Sequence, residues 1–255
     1  MKDPTKRFSS RVENYLKYRP HYPAEVLEIL VKECGLAPEW VIADIGSGTG
    51  FLTELFLKNG NRVFGVEPNK EMHEAGERYL KGYPNFKSVD GTAEDTQLPA
   101  ASVDMVTAGQ AFHWFDREKA KKEFLRILKP QGWCAIVWNE RRTGGSPFLE
   151  AYERLLREFT SEYKESRHRR VRESVLAEFF APNGFQVHTC RNHQTFDLDA
   201  VKGRLLSSSY APEKGQAGHE AMLAELSRIF AAYQQDGKVI LQYETQVSFG
   251  RLTAH

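Results

Sequence analysis

"VIADIGSGTG", residues 41–50, sets an apolar run against a turn with three glycines in five positions. Asp44 closes the run, and Gly46, Gly48 and Gly50 let the chain bend sharply and lay bare backbone against a ligand. A strand, a glycine turn and a helix together open a parallel sheet wound with helices. The pattern continues downstream. "RVFGVEP" (62–68) reads as a second strand, and "FKSVD" (86–90), "VDMVTAG" (103–109) and "GWCAIVWN" (132–139) as the next three. Between them Leu52, Leu55 and Phe56 share a helical face that Asn59-Gly60 ends. Asn69 caps a helix carrying Met72, Ala75 and Tyr79. Asp116 caps another carrying Ala120, Phe124 and Leu128, which "LKPQG" terminates.

Ahead of this core, Val26, Leu27, Leu30 and Val31 form a helical stripe between Pro23 and Gly35. Beyond it, Ser146-Pro147 opens a helix with Tyr152, Leu155 and Phe159 inward. Near the end, Val239, Leu241, Tyr243, Thr245, Val247 and Phe249 alternate strictly, the period of a strand. "FQVHTC" (185–190) is its expected partner, with Phe185, Val187 and Thr189 alternating after Gly184. Two helical stretches, residues 199–210 and 219–235, lie between these strands.

The chain of 255 residues, 41% hydrophobic and 27% charged, is long enough for a sizeable core. A net charge of +1 gives no global field demanding nucleic acid or an anionic membrane. No apolar stretch approaches a membrane span, and "MKDPTKRFSS" lacks a secretory segment, so a cytoplasmic protein is expected. Cys34, Cys134 and Cys190 suit reduced thiols, neither a disulfide framework nor a zinc site. His188 and His193 have no acidic partner at ligand spacing, so no metal is expected. The basic cluster "KESRHRRVRE" (164–173) reads as a solvated helical face more readily than as a phosphate track.

Nicotinamide, flavin and S-adenosylmethionine (SAM) sites all use glycine-rich turns. A dinucleotide turn reads G-x-G-x-x-G, but the position of its third glycine is Phe51 here. No lysine follows Gly50, so the turn is not a phosphate loop either. Glu67 closes the second strand, 17 residues after Gly50, where a carboxylate can accept both hydroxyls of a ribose. Strand C-termini line the ligand crevice of such sheets, so Asp44 and Glu67 share the correct edge.

"VIADIGSGTG", "VFGVEPN", "GTAEDTQLP", "VDMVTAGQAFHWFD" and "LKPQGW" resemble, in order and spacing, the class I SAM-dependent methyltransferases. "AFHWF", "YRPHYP" and "SSSYAP" resemble the subgroup related to trans-aconitate methyltransferase. The resemblance implies an α/β, doubly wound, Rossmann-like seven-stranded sheet of order 3-2-1-4-5-7-6 with strand seven antiparallel. It further implies one methyltransferase domain: an N-terminal helical cap (1–36), a SAM-binding core (37–145), and a C-terminal part with a helical substrate lid (146–255).

By the same resemblance, Asp44, Gly46, Ser47 and Gly48 line the methionine side of SAM. Glu67 holds the ribose, Pro68 packs near the adenine, and Thr92, Ala93 and Glu94 meet the adenine edge. Thr92 departs from the aspartate of many relatives. Gln110 sits beside the sulfonium end, and Arg19 pairs with the cofactor's carboxylate, with Tyr15 or Tyr18 to assist. Tyr18, Trp114, Trp138 and Tyr210 are the expected acceptor contacts, Tyr210 on a lid. Trp114 reads equally as pocket or core, and Phe115 as core. His113 is the candidate general base; the competing and favoured reading has it ordering the loop or binding substrate without moving a proton. The expected activity is methyl transfer to a small molecule, with a carboxylate-bearing metabolite ahead of other acceptors. The alternatives are an NAD(P)-linked oxidoreductase, disfavoured by Phe51, and a SAM-binding regulator without turnover. Nucleic acid is disfavoured, because strand four ends in "GQAF" rather than a Pro-Pro-aromatic run.

Overall fold

The computed structural model describes residues 16–160, 163, 173–208 and 210–253. Within them β1 (Val41–Ile45), β2 (Arg62–Val66), β3 (Phe86–Val89), β4 (Val103–Gly109), β5 (Leu128–Arg141), β6 (Gln186–Phe196) and β7 (Val239–Gly250) form one sheet. Its order is β3-β2-β1-β4-β5-β7-β6. The first five strands run parallel, and β7 is antiparallel to both β5 and β6. This is the order and sense that the sequence resemblance implies.

Alternation along each strand divides the core. Ile42, Val63, Met105, Val137 and Phe249 face helices α1 (Glu25–Cys34), α2 (Phe51–Lys58) and α3 (Lys70–Leu80). Ala43, Ile45, Val66, Val106 and Ile136 face α4 (Arg117–Ile127) and α6 (Glu173–Phe180). Strands hydrophobic on both faces are what a sheet covered by helices on each side requires. A separate apolar lobe joins α5 (Pro147–Phe159), α7 (Leu198–Leu206) and α8 (His219–Tyr233) to the first half of β7. The capping residues act as read. The side chains of Asn69, Asp116 and Ser146 accept from the N–H groups of Met72, Lys119 and Leu149, and Gly35 closes α1 in the left-handed region.

Two readings need correction. "LKPQG" does more than end α4: β5 already begins at Leu128, which pairs with Val103, and the register then jumps to Met105 opposite Trp133. The residues between form a bulge, with Gln131 at φ 67°. Pro130 has no N–H for a ladder, so a bulge is where a strand tolerates it. In β6 the strand forms, but Val187 is exposed and His188, Cys190, Asn192 and Gln194 point inward. Pairing with β7 sets this, placing His188 opposite buried Val247. His188 and His193 consequently lie on opposite faces of β6. Tyr15 and all of the basic cluster before Glu173 lie outside the described residues.

Candidate functional site

The glycine turn leaves β1 and crosses the end of β2, held by the N–H groups of Gly46 and Ser47 on the Val66 carbonyl, 2.8 and 3.1 Å. Gly46 has φ +66°, and a Cβ there would stand 2.6 Å from that of Ala111, so only glycine fits. The crossing brings Glu67 under the turn. Its Oε2 accepts from Gly48 N–H at 2.9 Å and its Oε1 from Asn69 N–H at 2.8 Å. Burial pushes the Glu67 carboxyl up, against the pull of these amides. Asp44, 1% exposed, accepts from Thr53 Oγ1 at 2.6 Å and from Thr107 Oγ1 at 3.2 Å. Burial pushes it up to about 7, opposed by the two hydroxyls and reinforced by the Glu67 charge. Neither acid has a lysine or arginine partner among the described residues.

A cavity of about 440 Å³ opens over this turn. Lining it are Asp44, Gly46, Ser47, Gly48, Glu67, Pro68, Thr92, Ala93 and Glu94, together with Arg19, Gln110, His113, Trp114, Trp138 and Tyr210. Tyr15 lies outside the described residues; the structure thus brings together every other residue assigned to the site from sequence except Tyr18. That ring lies on α7 at Gly203, where a Cβ would collide with it, and it packs in the apolar lobe. Tyr22 takes the position nearer the cavity, its hydroxyl over Gly109.

Three placements refine the expectations. Thr92 Oγ1 already accepts from Glu94 and Asp95 N–H groups, so its hydroxyl can offer an adenine amine little acceptor capacity. Gln110, at φ 57°, extends the sheet with its side chain: Nε2 donates to Asn139 O and Oε1 accepts from Asn139 N–H, both 3.1 Å. Its amide is therefore engaged with β5, and its backbone faces the cavity. His113 sits in a 3-10 turn, Phe112–Trp114, with its ring 4.3 Å from Trp114 and 5.2 Å from Trp138. Phe115 both lines the cavity and packs against Phe124.

The far wall holds residues that sequence reasoning missed. Arg141, at the end of β5, bonds Glu153 Oε2 at 2.7 Å and Tyr163 Oη at 2.8 Å. Glu153 also accepts from Tyr163 and Arg157, and these three donors hold its carboxyl below its ordinary range despite burial. Arg204, on α7 and 5% exposed, donates to Tyr243 Oη and Ser208 Oγ, each at 3.2 Å. An arginine between buried Val201 and Leu205 on one helical face was the available signal. The N-terminal strap closes the edge: His21 O accepts from Asn139 and Asn192 side chains, and Arg19 donates to Ser207 O.

The donor set suits a cationic nucleoside. Two buried carboxylates without basic partners offer acceptors to hydroxyls and attraction to positive charge, which the ribose, α-ammonium and sulfonium of SAM supply. A pyrophosphate would be repelled, and Phe51, buried and stacked 4.1 Å from His21, fills the space a dinucleotide turn leaves to glycine.

Comparison with known proteins points the same way. The family described as "Methyltransferase domain" matches residues 43–136. The uncharacterized methyltransferase YcgJ of Bacillus subtilis is 30% identical over 68% of this chain and 67% of its own. An uncharacterized methyltransferase-like protein of Schizosaccharomyces pombe is 28% identical over 94% and 93% of the two chains. Another fission yeast uncharacterized methyltransferase matches over 58% of each chain at 34% identity. A candidate type II methyltransferase of Anaeromyxobacter dehalogenans superimposes with a TM-score of 0.70 at 24% identity, covering 93% of this chain and 100% of its own.

Proposed function

This chain belongs to the class I SAM-dependent methyltransferases, and from that premise we propose that it methylates a small-molecule acceptor bearing a carboxylate. Arg204 carries this reading: a buried guanidinium in the cavity wall whose bonded partners among the described residues are hydroxyls alone. A buried charge without a counter-ion is costly, and an acceptor carboxylate offsets that cost on binding. The subgroup resemblance of "YRPHYP" and "SSSYAP" favours the same class.

When bound, SAM would supply an activated methyl carbon, which the acceptor's lone pair takes up while the C–S electron pair stays with sulfur. The protein positions and dries the partners. Asp44 and Glu67 hold the charged and ribose portions, with the glycine turn fixing their spacing. Pro68 and the Thr92-Ala93-Glu94 segment border the adenine. Trp114 and Trp138 exclude water and present ring faces to the cation. His113, its ring against Trp114 and Trp138, orders its loop and contacts substrate without acting as a base, as a reacting group with no proton to lose requires. Residues 1–36, 37–145 and 146–255 serve as cap, core and lid-bearing part of one domain. Cytoplasmic residence accords with three free thiols, and none of the described helices is long and apolar enough to cross a membrane.

The test is transfer of labelled methyl from SAM into acidic, neutral and basic fractions of a metabolite extract, with calorimetric titration of SAM and NADH alongside. Label in the acidic fraction and heat only with SAM are expected. Label confined to neutral or basic acceptors removes the carboxylate assignment.

A further inference from the structure

We propose that Arg204 grips an anionic group of the acceptor that is not the group methylated, so that the acceptor carries a charged handle and a separate reacting atom. The proposal rests on the carboxylate-bearing acceptor proposed above. Three guanidiniums line the cavity: Arg19, which donates to Ser207 O, Arg141 and Arg204, and the last two differ in charge balance. Arg141 is neutralised by Glu153 at 2.7 Å. Glu153's other oxygen takes Arg157, which is half exposed and screened by solvent. Among the described residues Arg204 bonds only Tyr243 Oη and Ser208 Oγ, using two of its five N–H donors. Of Arg141 and Arg204, only Arg204 is without a carboxylate partner among the described residues, and it is there that an anionic group of the acceptor pairs.

Strand register separates the backbone level of Arg204's partner from the Gln110 end. Tyr243, bonded to Arg204, is opposite Arg141, and Thr245 is opposite Asn139. Asn139 carries the doubly bonded Gln110 that ends β4. Arg141 and Tyr243 are thus one same-face step beyond Asn139, roughly 7 Å along the strand. A carboxylate paired at Arg204 is held at the Arg141–Tyr243 level of the cavity, one step from the Gln110 and Trp138 end. Pairing with a guanidinium also stabilises the carboxylate's charge and makes it a poorer nucleophile. The held group neither gains nor loses atoms in the transfer and leaves with the product still charged.

The charge of the product reads this directly. Label is transferred from SAM into a metabolite extract, and the product is passed over an anion exchanger at neutral pH and then treated with mild base. A retained, anionic labelled product is expected. A neutral product that releases labelled methanol in base overturns the handle while leaving the carboxylate reading intact. A neutral, base-stable product, or no labelled product, counts against both. Arg204→Gln is expected to raise the acceptor KM at least tenfold while SAM affinity measured by calorimetry stays within twofold, and Arg204→Lys to recover part of the loss. An unchanged KM in Arg204→Gln overturns the proposal. If that variant does not fold, Arg204→Lys carries the test, since exchanging a fork for a point charge must still raise KM.

Discussion

Glu67 Oε2 accepts a hydrogen bond from the Gly48 N–H at 2.9 Å, so the acid ending β2 is fastened to the turn leaving β1. One carboxylate thereby shapes the glycine turn and presents its remaining lone pairs to the cavity. Glu67→Ala is expected to weaken SAM binding by about 1–3 kcal/mol, the usual cost of a lost charged hydrogen-bond partner. Calorimetry decides it, and wild-type affinity in the folded variant would refute the ribose assignment.

Asp44 supplies a pH dependence. In the free protein it titrates at about 7 rather than at 3.8 because it is buried. Cationic cofactor groups favour the carboxylate, so SAM affinity should fall up to tenfold per pH unit below about 7. Without cofactor, the folded state holds a proton that the unfolded chain releases, so this group's contribution to stability is full below about 4 and lost as pH rises towards 7. Asp44→Asn should flatten both profiles. A SAM affinity that is constant from pH 8 to pH 6 in the wild type contradicts the assignment.

Gly48→Val should abolish SAM binding. Gly48 lies at φ +57°, and an added Cβ would stand 3.3 Å from Met72 Cε. The left-handed conformation alone costs a non-glycine residue about 1–2 kcal/mol, and more for a β-branched one. A lower melting temperature together with lost calorimetric heat is the expected result.

His113→Ala should keep turnover within about tenfold of wild type, because general-base catalysis contributes roughly 10²–10⁴ where it operates. A hundredfold or greater fall in kcat at saturating substrate would instead make His113 the base.

Glu153→Gln should destabilise the fold by about 3–5 kcal/mol, the cost of leaving a buried partner charge uncompensated. Both Arg141 and Glu153 side chains are buried, 10% and 8% exposed. Denaturant unfolding measures this, and a change under 1 kcal/mol would show that the network does not depend on the charge.

The acid-lined half of the cavity was legible because its residues are local in the chain. Asp44, the three glycines and Phe51 fall within eight positions, and Glu67 ends the next strand, so strand pairing alone makes them neighbours. Caps at Asn69, Asp116 and Ser146 were legible for the same reason, each acting within one helical turn. The β5 bulge and the inward face of β6 were not. Both depend on which residue a neighbouring strand offers, and periodicity within one segment carries no such information.

By itself the sequence determined the wound sheet, its order through resemblance, and the acid-lined turn, since hydrophobic period and glycine freedom are properties of short segments. Only the tertiary structure decided the far wall of the cavity. Arg141, Tyr163, Arg204 and Tyr243 are far apart in the chain and meet because β7 runs antiparallel beside β5 while α7 folds back over it. Their charges gain meaning only from burial and from the partners each finds among the described residues: a glutamate for Arg141, and hydroxyls for Arg204.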